Sequence, residues 1–112
     1  MGMKDYPVQT MAIGAAETEG SFTTDHTIVW GKTHTMIVTI PNFTNAVTTT
    51  VSVQDLNDKV LYTIGGLLEN TTHILTFEVP VGPNFDFVFT LSGVPGGTGG
   101  SITASLYYEA NR

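Results

Sequence analysis

The stretch Val47 to Gln54, VTTTVSVQ, decides the fold. Val47, Thr49, Val51 and Val53 fall on one side of an extended chain, and Thr48, Thr50, Ser52 and Gln54 on the other. Successive side chains of a strand point to opposite faces, so a period of two marks a strand with one face on a core and one on solvent. The residue types agree. Val and Thr are branched at Cβ, stiff at χ1 and suited to a pleated surface.

The same alternation recurs on both sides. Upstream, His34 to Ile40 sets Met36, Val38 and Ile40 against Thr35, Ile37 and Thr39. Downstream, Phe85, Phe87, Phe89 and Leu91 oppose Asp86, Val88 and Thr90, and Ile102, Ala104, Leu106 and Tyr108 oppose Thr103, Ser105 and Tyr107. Phe22 to Trp30 (ended by Gly31), Val60 to Ile64 (ended by Gly65-Gly66) and Thr72 to Val79 (stopped by Pro80) complete the candidates. Asp55 to Lys59, DLNDK, reads as a hairpin connection, because Asn and Asp tolerate turn conformations. No window carries a capped 3.6-residue period. Short strands with regular turn signals predict an all-β chain: an antiparallel two-sheet β-sandwich, jelly-roll or Ig-like, of seven to eight strands. Residues 21–112 read as a single sandwich domain. Residues 1–20 read as an N-terminal arm or first strand, with Gly14 to Gly20, GAAETEG, as a loop.

Composition narrows the function. The chain has 112 residues, 41% hydrophobic, enough for one packed core, while charged residues make up only 12%. Threonine, at 19 residues, carries much of the polarity instead. The net charge is −6 and the basic residues are Lys4, Lys32, Lys59 and Arg112, which form no cluster. That argues against a nucleic-acid or anionic-membrane partner. Without cysteine there is no disulfide or thiolate chemistry. No apolar run has the length of a membrane span, and the N-terminus lacks a secretory layout, so synthesis in a cytoplasm is expected.

The chemical motifs fail one by one. Five of the ten residues from Ser92 to Ser101, SGVPGGTGGS, are glycine. A phosphate loop would need Lys after a glycine, and a dinucleotide fingerprint would need Gly at Ile102 and a helix beyond it. The loop therefore reads as a connection between antiparallel strands. Asp55 to Asp58 begins like a calcium loop, but Lys59 and Val60 occupy positions that require an oxygen ligand and a glycine. His26, His34 and His73 lack metal-ligand spacing, and no nucleophile signature occurs, so no catalytic residue, cofactor or metal is expected. A binding function has more support. Trp30, Tyr62 and Tyr107 could present sugar-facing aromatics, as in a carbohydrate-binding module, or could be core and half-buried residues.

Strand edges are usually guarded by charge, especially lysine, or by proline; here the strands carry Thr and Ser instead, with few such guards, which favours burial against other subunits. The segments VTTTVSVQDLNDKVLYTIGGLLENTTHIL and FDFVFTLSGVPGGTGGSITASLYYEANR together resemble small structural proteins of tailed bacteriophages. The resemblance spans about half of the chain, a strand, an Asp/Asn hairpin and a Gly-rich run into closing strands. It implies no catalytic residues and a place in the virion as a capsid decoration (cement) protein, bound to the major capsid protein as a homo-oligomer, with a trimer favoured. A neck, tail or baseplate component is the related alternative. It further implies that the N-terminal segment is a contact arm, with Tyr6, Val8, Met11 and Ile13 as partner contacts.

Overall fold

The computed structural model describes residues 3–111; Met1, Gly2 and Arg112 lie outside the described residues. Among the described residues there are nine strands: β1 (Met3–Ile13), β2 (Glu19–Thr23), β3 (Gly31–Ile40), β4 (Thr48–Gln54), β5 (Val60–Leu68), β6 (Thr71–Thr76), β7 (Pro80–Val81), β8 (Asp86–Leu91) and β9 (Gly100–Ala110). One sheet runs β1-β9-β3-β6, with β7 pairing β3 beyond the end of β6, and the other runs β2-β8-β4-β5. All strand pairs are antiparallel.

With the two-residue β7 set aside, the first strand pairs the last, the second pairs the next to last, and so inward to β4 with β5. This is one long hairpin folded over itself into two sheets, which is the jelly-roll arrangement rather than the immunoglobulin one. The sandwich and the class are as the alternation predicts.

The alternating faces meet in one core. Met36, Val38 and Ile40 from one sheet and Val51, Val53, Phe87 and Phe89 from the other are all at most 1% exposed. Phe22 stacks on Phe87 with ring centroids 4.8 Å apart. Each such buried side chain contributes roughly 1.5–3 kcal/mol. The DLNDK hairpin is closed by Asp55, whose Oδ1 accepts the amides of Asn57 and Lys59, both at 2.9 Å. Asp58 sits at φ 63° in that turn, a conformation Asp tolerates.

Several boundaries differ from the sequence reading, each for a local reason. The strand expected over Phe22 to Trp30 stops at Thr23, because the Asp25 carboxylate accepts the Thr27 amide and hydroxyl at 2.9 and 2.5 Å and turns the chain. Gly31 starts β3 instead of ending a strand. A Cβ there would overlap the carbonyl oxygen of Glu109, so glycine permits the close approach of β9. Gly65-Gly66 does not end β5 either. The strand continues to Leu68 through a register irregularity opposite Thr49 and Val51, with Gly66 at φ 71°, which is a bulge. β6 ends at Thr76, and the chain beyond is held by buried Thr33, whose hydroxyl donates to Phe77 O at 2.9 Å and accepts from Val79 N at 3.0 Å.

The N-terminal segment is the first strand and not an arm. It pairs with β9 from Met3 opposite Glu109 to Ile13 opposite Gly100. The first and last strands thus lie side by side, with Met3–Ile13 as part of the sandwich sheet.

Candidate functional site

The loops at one end of the sandwich are fastened to one another. Gly96 N donates to Ala15 O at 3.1 Å, Asn45 N to Pro95 O at 2.8 Å, and Asn70 N to Pro41 O at 3.1 Å. Gly96, Gly97 and Gly99 have φ of 71°, 56° and 73°, in the left-handed region. A Cβ on Gly97 would overlap the Thr44 hydroxyl, and one on Gly99 the Ile13 carbonyl oxygen. The Gly-rich run is therefore a connection pressed against its neighbours, with its Gly96 and Gly99 amides bonded within the fold. No three His, Cys, Asp or Glu side chains gather in a metal-holding group among the described residues.

The expected partner contacts fall on β1, and most of them face inward. Tyr6, Met11 and Ile13 are 5%, 4% and 2% exposed, so they belong to this chain's own core; only Val8 is open, at 61%. All four were expected as partner contacts; three of them are instead taken up by the sandwich that their strand closes. The Tyr6 hydroxyl accepts the Asp25 amide at 3.1 Å, and burial raises its pKa above the ordinary 10.0. The Asp25 carboxyl is held below its usual range by the hydrogen bonds from the Thr27 hydroxyl and amide.

The three aromatics do not converge. Trp30 is half-exposed beside Gly82 and meets Phe85 edge-on at 5.6 Å. Tyr62 lies on β5 with one ring face covered by Phe77, the centroids 4.1 Å apart. Tyr107 stands on β9, opposite Asp5 on one side and Thr35 on the other, where Thr35 also pairs Thr76.

What the structure assembles instead is a nearly uncharged surface with one open edge. On the outer face of the β1-β9-β3-β6 sheet, Thr10, Thr103, Thr39 and Thr72 form one row across all four strands. Ser105, Ile37 and Ile74 form the next. Charges gather at one end, where Lys32 pairs Glu78 at 3.3 Å and Glu109 at 3.8 Å.

The strand edges are not equivalent. An edge presents unpaired backbone groups, and natural sheets blunt it with Pro, charge, bulges or shortness. β1 carries Pro7 and a register irregularity between Tyr6 and Gln9. β2 is five residues long and begins with Glu19. β5 follows Lys59 and has two register irregularities against β4. β7 begins with Pro80. β6, Thr-Thr-His-Ile-Leu-Thr, has no proline, no Lys, Arg, Asp or Glu, and no irregularity in its pairing with β3. Thr72, Ile74 and Thr76 are exposed, Ile74 at 69%. Among the described residues it is the one edge without a guard. On the same flank, β5 presents Val60 and Leu68 at 52% and 62% exposed. Beside Leu68, an open groove of about 380 Å³ is lined by Ala46, Val47, Thr48, Glu69 and Ser92.

Sequence reasoning expected poorly guarded edges but did not locate this one, because which strand lies at an edge is a property of strand order. The signal was nevertheless present: a strand-forming run from 71 to 77 with no Lys, Arg, Asp, Glu or Pro.

No family model matches this chain, and no curated protein sequence matches it. Solved structures do overlay on it. A part of an arabinose-bound α-L-arabinofuranosidase aligns with a TM-score of 0.47 and 15% identity, over 88% of this chain and 18% of that one. Dimeric latent PorU from Porphyromonas gingivalis aligns with a TM-score of 0.35 and 8% identity, over 97% and 13%. A chain from infectious bursal disease virus, Gx strain, aligns with a TM-score of 0.36 and 10% identity, over 98% and 33%. This chain thus spans a third or less of each of these.

Proposed function

We propose that this protein is a non-enzymatic structural subunit that works by assembly: a virion shell component, as a decoration protein bound to the outside of a tailed-phage head. The observation that carries the reading is the pairing of a largely Thr- and Ser-faced sheet, its charges confined to one end, with an unguarded edge at β6. A protein that works alone in solution gains nothing from such an edge and risks aggregation by it. A subunit that is buried in an assembly needs no guard there. The phage-like closing segment, Leu91 to Tyr108, gives the reading its direction, and the low charge suits a surface covered by neighbours.

The test is binding to heads of the virus that encodes the chain, stripped of accessory proteins. Cosedimentation at a fixed number of copies per head, with heads that withstand higher temperature once bound, is the expected result. Absence of the protein from purified virions, with no binding to stripped heads, sinks the reading.

A further inference from the structure

We infer that the β6 edge is a self-association site, at which β6 of a second copy adds antiparallel about a two-fold axis through Ile74. This rests on the assembly reading and names its first contact. Three observations specify the occupant as another copy of this chain.

The first is the missing guard. Strand edges pair with strand edges, and β6 alone of those described is left free of proline, charge and bulge. The second is symmetry. The outward residues of β6 read Thr72, Ile74, Thr76, the same in either direction. A two-fold centred on Ile74 places Ile74 opposite Ile74 of the second copy and Thr72 opposite Thr76 of the second copy. Like β-branched pairs directly across a ladder are favourable, and an isologous contact requires this self-complementarity. Because Ile37 already pairs Ile74 across β3 and β6, the dimer carries four isoleucines in one row.

The third is charge. A chain of net charge −6 tends to repel its copies, but this register avoids the carboxylates. Residues 70–77 contain no Asp or Glu. The flanking Glu69 falls opposite Val79 of the second copy, and Glu78 opposite Asn70, so no carboxylate meets another. The exposed Val60 and Leu68 lie on the flank that a neighbour would cover.

The chain has no cysteine, which makes a register-specific test available. Directly opposed residues on antiparallel strands have Cα atoms about 4.5–5.5 Å apart, within disulfide range. Under mild oxidation Ile74→Cys forms a covalent dimer in high yield. Thr72→Cys alone does not, but an equimolar mixture with Thr76→Cys does. Ile74→Lys, at an exposed position, keeps the wild-type far-UV dichroism and shifts the monomer–dimer midpoint in light scattering by about tenfold or more. Val8→Lys, on the guarded β1 edge, leaves that midpoint in place. If the wild type assembles but Ile74→Lys does not weaken it and Ile74→Cys does not cross-link, this inference is overturned and the assembly reading survives. A wild type that is monomeric at every concentration also overturns it, and head binding then decides the function separately. So does a closed trimer, which a two-fold strand contact cannot produce.

Discussion

The two edges of one sheet, β1 and β6, treat their apolar residues differently. Both end the β1-β9-β3-β6 sheet and both carry apolar side chains. β1 turns Tyr6, Met11 and Ile13 into the core and protects its outer side with Pro7 and a bulge. β6 turns Leu75 inward, leaves Ile74 in solvent and protects nothing. An apolar residue on an edge is thus no evidence of a docking site until its face and its guards are known. Tyr6 belongs to the fold, whereas Ile74 lies open to solvent.

Substitutions can break that contrast, and the largest effect belongs to the ring. Tyr6→Ala removes a buried aromatic and the acceptor for the Asp25 amide, and should cost about 3–5 kcal/mol in chemical denaturation. Ile74→Ala, measured at concentrations where the protein is monomeric, should stay within about 0.5 kcal/mol of wild type. Equal losses at the two positions would erase the distinction. Next comes the far end of β1. Gly99→Ala strains a φ of 73° and drives a Cβ into the Ile13 carbonyl, for an expected loss of about 3 kcal/mol. A thermal midpoint unchanged by Gly99→Ala would mean that the loop is not pressed on β1.

A smaller effect has the opposite sign. Thr49 is fully buried between Leu91 and Leu67, and its hydroxyl has no hydrogen-bond partner. Thr49→Val should stabilise the fold by about 1 kcal/mol, since an unpaired buried hydroxyl carries a desolvation cost. Destabilisation by that substitution would contradict the packing described. The smallest is a pH effect at β1. Burial raises the Tyr6 pKa, so the unfolded chain releases this proton first. The contribution is complete below the ordinary value of 10.0 and is lost as pH rises from there through the folded-state value. Tyr6→Phe should flatten that part of the alkaline stability profile.

Much of the fold was legible because alternation is local. β4, β8 and β9 present in the structure the inner faces their sequences predict, down to Thr49 on the valine face. Long-range partners left no such trace. β1 pairs with β9 at the opposite end of the chain, so nothing near Tyr6 distinguishes an arm from a strand. Gly31 and Gly65-Gly66 read as stops, yet the first admits a close neighbour and the second makes a bulge. Strand order and the open edge follow from these pairings, and so the candidate site was hidden even though its residues were in plain view.

Hydrogen exchange measured at two protein concentrations addresses the central claim most directly. The backbone amides of residues 71–76 that point away from β3 should gain protection as concentration rises, while those of residues 3–6 and 8 exchange at the same rate in both samples. Protection that grows at β1, or equally at both edges, or at neither while larger species form, would contradict the account.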